Sequence, residues 1–192
     1  MNLFTTQVPE PGFGDLHDNT ALTLATTFYS TEDGFITGGR IYGPTNPGAG
    51  TYELALWRVI SPDSSGSSGL FLTSVDYSSV IGGQWNPIDF DDPVAIEANV
   101  MHRIGIRTSD GSYVAIRNFF TSAGLTNSPL IAPQTGTNPL GAGSFGNGAF
   151  TSSITAYPNQ TFGGGCYLVD PTFTTGEEEP DPALQSSFLH FF

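Results

Sequence analysis

The chain has 192 residues, which is long enough for one domain whose hydrophobic core needs no metal or disulfide. Only 12% of the residues are charged, whereas Gly (24) and Pro (14) are abundant, a composition typical of an all-β protein with many turns. Lysine is absent and the net charge is −13, so repulsion disfavours nucleic acid and anionic membranes as partners. We expect partners that are neutral or basic.

Residues 1–19 predict an extended arm. They contain several prolines and glycines and show no hydrophobic period. Phe4 and Phe13 are the side chains that we expect to attach this arm to a partner subunit. The same stretch has no basic region followed by an apolar run, so we expect no secretory signal. No transmembrane segment is expected either.

Two β-hairpins are predicted from alternating apolar residues around tight turns. Residues 21–30 alternate, and an Asp-Gly pair supplies the turn into a return strand over residues 34–44. Gly38 and Gly39 inside that strand indicate a bulge or a close approach of two backbones. Residues 100–118 alternate around a Ser-Asp-Gly turn and predict the second hairpin.

The stretch TYELALWRVI at residues 51–60 predicts the strand around which the fold is organised. It contains no Gly or Pro and carries apolar side chains on both faces, so both faces can be buried. We interpret Trp57 as a core side chain rather than a ligand platform, because aromatic rings bury most of their area in cores. Glu53 and Arg58 are expected to reach water.

Residues 121–165 form a loop-rich excursion dominated by Gly, Ser, Thr, Asn and Pro. Excursions of this length are usually functional or held by their neighbours. Its aromatic residues Phe145, Phe150, Tyr157 and Phe162 could stack on sugar rings, as in carbohydrate-binding sandwiches. They could instead seal a cap over the sandwich or form a subunit contact, and we favour packing.

Three acidic residues before a proline offer a candidate cation site. Asp89, Asp91 and Asp92 could supply oxygen ligands to calcium. A solvated turn is the simpler interpretation, because the EF-hand spacing and its final Glu are missing. Pro87 and Pro93 confine this segment to a sheet edge or to the start of a strand.

No cofactor and no catalytic centre are predicted. Cys166 is the single cysteine, so it cannot form an internal disulfide, and we interpret it as a small buried side chain. His17, His102 and His190 show neither the spacing of a triad nor that of a metal site. A glycosidase-type pair of acids stays open, because sequence does not give the distance between carboxylates.

Residues 176–192 leave the domain as an acidic, proline-broken linker that ends in an apolar tip. The tip consists of Phe188, Leu189, Phe191 and Phe192, and full exposure of such side chains to water is unfavourable. We expect the tip to bind a groove on a neighbouring subunit. The alternative is a disordered tail, which is common at chain termini.

Several short motifs follow one another in a characteristic order. They are GFITGGRIY at residues 34–42, YELALW at 52–57, GQWN at 83–86, FDDPV at 90–94 and YLVDP at 167–171. This order resembles an uncharacterised β-sandwich module found in bacterial extracellular proteins and in minor virion proteins of phages that infect actinobacteria. The resemblance covers about residues 20–175. It implies a fold and a setting, and it brings no catalytic residues with it.

We therefore predict an all-β fold, an antiparallel jelly-roll-like β-sandwich over residues 20–175 with an N-terminal arm and a C-terminal tail. The resemblance implies a non-enzymatic structural protein on the virion surface of a tailed phage, as a capsid decoration, head fibre or minor tail protein. Its termini would anchor it to other virion subunits, and we expect a homo-oligomer on the particle. A phage setting also fits the missing secretory signal, because virion proteins are made inside the host and released by lysis.

Two further hypotheses belong to other classes of protein. A carbohydrate-binding adhesion module would recognise glycans of the host cell envelope. A hydrolase of envelope polysaccharide would need two carboxylates facing each other in a cleft.

Overall fold

The computed structural model describes residues 1–9, 15–60 and 68–176. Within these ranges all regular structure is β, and no helix is present that could span a membrane. The strands are β1 Asp15–His17, β2 Leu22–Ser30, β3 Gly34–Tyr42, β4 Tyr52–Val59, β5 Gly69–Tyr77, β6 Trp85–Ile96, β7 His102–Thr108, β8 Ser112–Val114, β9 Leu125–Asn127, β10 Leu130–Ala132, β11 Ala149–Thr151, β12 Gln160–Thr161 and β13 Val169–Thr174.

The strands form two main sheets that enclose the core. The larger sheet has the order β12-β11-β2-β7-β4-β5, and β10 pairs with β2 and with β9. The smaller sheet has the order β13-β3-β6, while β1 and β8 form a separate ribbon. All these pairings are antiparallel. The prediction of an all-β antiparallel sandwich is confirmed, and the jelly-roll connectivity stays a prediction.

The hydrophobic core is filled by side chains from both sheets. Leu54 and Ile104 come from the larger sheet, and Ile36 and Phe173 come from the smaller one. At Gly39 a Cβ atom would lie 2.7 Å from the backbone carbonyl oxygen of Asp170 on the neighbouring strand β13 and 2.6 Å from the Ile104 Cδ1 atom of the facing sheet. A residue without a side chain is required there, so the predicted close approach is confirmed.

The predicted organising strand is β4, which pairs with β7 on one side and with β5 on the other. Leu54 and Leu56 belong to the core between the sheets. Ala55 and Trp57, which alternate with them, are buried as well, and Trp57 is only 2% exposed. The interpretation of Trp57 as a core side chain is confirmed.

Neither predicted hairpin forms. β2 and β3 follow each other at the Asp-Gly turn, yet β2 lies in the larger sheet and β3 in the smaller sheet. In the second case β7 pairs with β2 and β4, whereas β8 pairs with β1. At the Ser-Asp-Gly turn the chain does not reverse, because β7 and β8 pair antiparallel with β2 and β1 in succession (Leu22 opposite Thr108, His17 opposite Ser112), so β8 continues the direction of β7. A turn sequence therefore does not decide which strand becomes the hydrogen-bonding partner.

The first residues of the chain belong to the sandwich, although the sequence predicted a free arm. Asn2 forms a β-bridge with Thr172, and β1 pairs with β8. Phe4 is 1% exposed and packs against Trp85, with ring centroids 5.9 Å apart. The structure therefore corrects the prediction that Phe4 contacts a partner subunit, because its ring is already covered by its own chain.

A buried carboxylate on β13 holds these first residues in place. Asp170 Oδ1 accepts a hydrogen bond from the Leu3 N–H at 2.8 Å, and both carboxylate oxygens accept from the Phe4 N–H at 3.2 Å. Asp170 Oδ2 also lies 2.8 Å from a guanidinium nitrogen of Arg40. Burial raises the pKa of Asp170 to about 6, a shift that the Arg40 charge and the N–H donors limit.

The loop-rich excursion is fastened to the larger sheet by buried polar side chains. Arg103 on β7 is fully buried and donates to the Thr27 hydroxyl and the Gly146 carbonyl, both at 2.9 Å, and to the Pro158 carbonyl. The Asn147 side chain accepts from the Thr27 N–H at 3.0 Å and donates to the Thr27 carbonyl at 2.9 Å. Thr27 lies between the part of β2 that pairs with β11 and the part that pairs with β10. The Asn147 side chain therefore supplies the hydrogen-bond partners that neither of these two strands supplies to the Thr27 backbone there.

Candidate binding surface

One end of the sandwich carries a cleft of about 350 Å³. It is lined by the end of β4, by the residues before β7 and by part of the loop-rich excursion. Val59, Met101 and Phe145 are buried there in a small apolar cluster separate from the main core. Ile60 at the same cleft is 64% exposed. An apolar floor with an exposed apolar residue beside it suits contact with a partner.

Arg58 contributes positive charge to this cleft and to a smaller neighbouring cleft of about 120 Å³. Its side chain is exposed at the end of β4. Arg40 and Arg107 each form an ion pair with a carboxylate. Within residues 1–9, 15–60 and 68–176, no acceptor takes a hydrogen bond from the Arg58 guanidinium. In a chain of net charge −13, Arg58 places a positive charge beside the cleft.

His102 lines the smaller cleft and is neutral at physiological pH. The residue is 2% exposed, and its Nδ1 atom lies 2.9 Å from the Val100 carbonyl oxygen, to which it donates in the neutral tautomer. Burial, aided by the positive charge of Arg58, lowers the pKa of His102 to about 4 despite that hydrogen bond. The charged side chains that line the smaller cleft are therefore Arg58 and Glu97, and this imidazole adds no charge.

The aromatic residues predicted for sugar contact or packing lie in different environments. Phe145 is 6% exposed in the floor of the larger cleft, and Phe150 is half-buried against the main core. Tyr157 is half-buried over Arg103, with 5.0 Å between its ring centroid and the guanidinium carbon. Phe162 is 75% exposed. The structure does not gather these rings into one sugar-binding platform.

The acidic residues of β6 do not form the calcium site that the sequence offered. Asp89, Asp91 and Asp92 are all exposed along this edge strand. In the part of the chain that the structure describes, no group of three or more His, Cys, Asp or Glu side chains could hold a metal ion. The exposure of these aspartates fits the simpler interpretation, in which their carboxylates are hydrated and bind no cation.

The remaining predicted contacts with partner subunits lie outside the described residues. They are Phe13, Phe188, Leu189, Phe191 and Phe192. For these side chains the prediction of docking stays a prediction.

Cys166 is a packed side chain, as predicted. It is fully buried, and burial raises the pKa of its thiol to about 12. A thiol of this kind is not a nucleophile at physiological pH.

The larger cleft can bind a partner through apolar contact and through the Arg58 charge.

Sequence reasoning placed Arg58 in water but did not identify a cleft beside it. The lining comes from residues 58–60, 99–101 and 138–145, which are far apart in the chain. The available signal was the position of an arginine at the end of an otherwise apolar strand. That signal indicates where the strand reaches solvent, but it does not indicate which distant segments of the chain line the cleft beside it.

The comparison with known proteins agrees with the sequence motifs. No curated protein matches the chain. One family of domains matches residues 6–169, which is most of its length. The occurrence of such modules in phage and extracellular proteins stays a prediction. The chain belongs to this family, which is described as a domain of unknown function, DUF4082.

Proposed function

We propose that this domain is a non-enzymatic structural protein of a tailed-phage virion surface, as a capsid decoration, head fibre or minor tail protein. The observation that carries the proposal is the end of the sandwich where the exposed Arg58 adjoins an apolar cleft. Arg58 and the exposed Ile60 provide the charge and the apolar area that protein interfaces use. The virion setting comes from the motif resemblance.

The body of the domain suits a passive structural role. Its N-terminal residues are fastened through Asp170 and its loop-rich excursion through Arg103, so a rigid scaffold presents the cleft. The apolar tip at Phe188, Leu189, Phe191 and Phe192 is a second proposed attachment point. Two separate contacts with neighbouring subunits would raise occupancy on a particle through effective concentration.

The test is mass spectrometry of purified particles from a phage that encodes this chain. We expect the protein in wild-type particles and a reduced copy number for Arg58→Glu, because the substitution reverses the charge beside the cleft. Deletion of residues 185–192 should also reduce incorporation while the sandwich stays folded. Asp92→Asn, on the exposed edge of β6, is the matched control and should incorporate normally. Absence of the protein from virions would end the proposal.

A second candidate function is carbohydrate binding by the same cleft. The specific observation is the Phe145 ring in the floor of a cleft that Asn99, Asn138 and Arg58 also line. Sugars combine an apolar face with hydroxyl groups, which this set of side chains can match. A glycan array should then show binding that Arg58→Ala weakens and Phe162→Ala leaves unchanged. Equal binding by both variants would contradict this use of the cleft.

A further inference from the structure

The two sheets end in edge strands that are protected very differently. The edge of the smaller sheet is β6, which carries Pro87 and Pro93 and the exposed aspartates Asp89, Asp91 and Asp92. Its register against β3 is also interrupted between Ile36 and Gly38. Prolines, charges and irregular register are the features that prevent a sheet edge from pairing with another chain.

The edge of the larger sheet is β5, and it lacks this protection. It is 9 residues long, contains no proline and has Asp76 as its single charged residue. Its pairing in the described structure is with β4 alone. Alternate N–H and C=O groups of an edge strand point away from its neighbour. Among the described residues, none outside β4 forms a backbone hydrogen bond with β5.

Exposed apolar side chains flank both ends of this edge. Leu70 and Phe71 near the start of β5 are 52% and 47% exposed. Ile81, shortly after the strand ends, is 57% exposed. A strand that pairs antiparallel with β5 would lie against both groups. A second copy of β5 in that orientation would bring the apolar start of each strand towards the apolar end of the other.

An irregularity in β5 limits the register of such a pairing. The register against β4 shifts between Leu56 and Trp57, so Leu72 is an extra residue in β5. Side chains change face at this point, and the longest uninterrupted stretch of regular pairing is residues 73–77. Val75 is the middle of that segment and therefore the natural position of a two-fold axis.

We propose that β5 pairs antiparallel with β5 of a second copy of the chain, about a two-fold axis at Val75. Thr73 then lies opposite Tyr77 of the second copy, and Val75 lies opposite its own counterpart. Ser74 lies opposite Asp76 of the second copy, which keeps the two Asp76 carboxylates from facing each other directly. Pairs of β-branched and aromatic residues across strands are favourable, and opposed like charges are not.

The proposal does not depend on a virion setting, because it concerns the purified chain alone. Each copy carries a net charge of −13, so the two copies repel at long range. Added salt screens that repulsion, and the dimer should therefore strengthen as ionic strength rises.

Substitutions of Ser74 test whether β5 forms the dimer interface and whether Ser74 lies opposite Asp76 of the second copy. Sedimentation velocity of the full chain over a range of concentrations should show a monomer–dimer equilibrium for the wild type. Ser74→Asp places like charges opposite each other twice in the dimer and should weaken the dimer about tenfold. Ser74→Arg places opposite charges there and should retain or tighten it. Gln160→Asp, at an exposed position on β12 at the opposite edge of the larger sheet, is the matched control and should behave as the wild type.

Circular dichroism and thermal unfolding should be unchanged in all three variants, which separates assembly from folding. A wild-type chain that stays monomeric at every concentration would overturn the proposal. Equal dimerisation of Ser74→Asp and Ser74→Arg would also overturn it, because the interface would then lie elsewhere. A monomer whose β5 amides resist hydrogen exchange would show that another segment of the same chain occupies the edge, with the same consequence.

Discussion

Two buried charges fasten segments of this chain to the two sheets, and they differ in what surrounds them. Asp170 on the smaller sheet has a charged partner, Arg40, and accepts hydrogen bonds from the backbone of Leu3 and Phe4. Arg103 on the larger sheet donates to the hydroxyl and carbonyl oxygens that hold the loop-rich excursion. The attachment at Asp170 includes an ion pair with Arg40, and the acceptors of Arg103 named here are one hydroxyl and two carbonyl oxygens.

The difference determines how each attachment responds to pH. Burial raises the pKa of Asp170 to about 6, so this carboxyl titrates close to neutral pH. Burial lowers the pKa of Arg103 to about 10, which leaves the guanidinium protonated throughout the physiological range. The N-terminal attachment is therefore sensitive to pH, whereas the attachment of the excursion is not. The comparison also shows that burial of a charge is tolerated when enough oriented partners surround it.

The largest effect is expected for Arg103→Met. The substitution keeps most of the stem but removes the Arg103 donor from the buried Pro158 carbonyl and from the Thr27 hydroxyl, and it leaves the Gly146 carbonyl with the Thr27 hydroxyl as its remaining donor. Each such acceptor costs about 1 to 3 kcal/mol, so the free energy of unfolding should fall by about 4 kcal/mol. Urea denaturation of the wild type and the variant measures this difference in the free energy of unfolding.

Arg107→Met is the matched control for that measurement, since Arg107 lies on the same strand and pairs with the partly exposed Glu53. Its loss should cost only about 1 to 2 kcal/mol, because Glu53 is 26% exposed and water can replace the lost donor. Equal losses for the two variants would contradict the role assigned to Arg103.

A somewhat smaller loss is expected for Asp170→Asn. The asparagine keeps the shape and one acceptor oxygen but removes the charge that faces Arg40. Removal of one partner from a buried ion pair should lower the free energy of unfolding by about 3 kcal/mol. Amide exchange of Leu3 and Phe4 should accelerate at the same time. Unchanged exchange at these two amides would show that Asp170 does not hold the N-terminal residues.

The smallest effect is a change in the pH dependence of stability. The folded pKa of His102, about 4, is below its ordinary value of 6.5, so its contribution is present above pH 6.5 and is lost as pH falls towards 4. The folded pKa of Asp170, about 6, is above its ordinary value of 3.8, so its contribution is present below pH 3.8 and is lost as pH rises through 6. Between about pH 4 and 6 the two contributions oppose each other.

His102→Gln should expose the Asp170 contribution in this window. Relative to the wild type, the dependence of the unfolding free energy on pH should become more negative by up to about 1.4 kcal/mol per pH unit. Denaturation curves at several pH values between 4 and 7 measure the slope. His17→Gln, at the exposed histidine of β1, is the control and should follow the wild type. A His102→Gln slope equal to that of the wild type would contradict the opposing titrations.

The sequence predicted the positions of the major strands better than their partners. Alternation and turn residues located β2, β3, β4 and β7, because each of these signals is contained in one short segment. Both predicted hairpins were wrong, because the partner of a strand is chosen by packing across the whole domain. The same limitation applies to Phe4, which looks like a residue of a free arm until Asp170 brings its backbone into the core.

The candidate binding surface was less predictable than the fold. Phe145 was identified as an aromatic of interest, and its place in the cleft floor follows from contacts with Val59 and Met101, far away in sequence. Arg58 was expected in water, but its position beside an apolar cleft is a property of the folded chain. The aspartates on β6 could be read as a cation site only while their geometry was unknown.

By itself, the amino-acid sequence determined an acidic all-β domain, the burial of Trp57 and the close backbone approach at Gly39. These features depend on composition and on local patterns, which a short segment carries in full. Only the tertiary structure decided which sheet each strand joins, where Phe4 lies, which arginine lines the apolar cleft and which sheet edge carries no proline and a single charge. These features depend on residues that are distant in sequence, and burial and pairing exist only after the chain has brought those residues together.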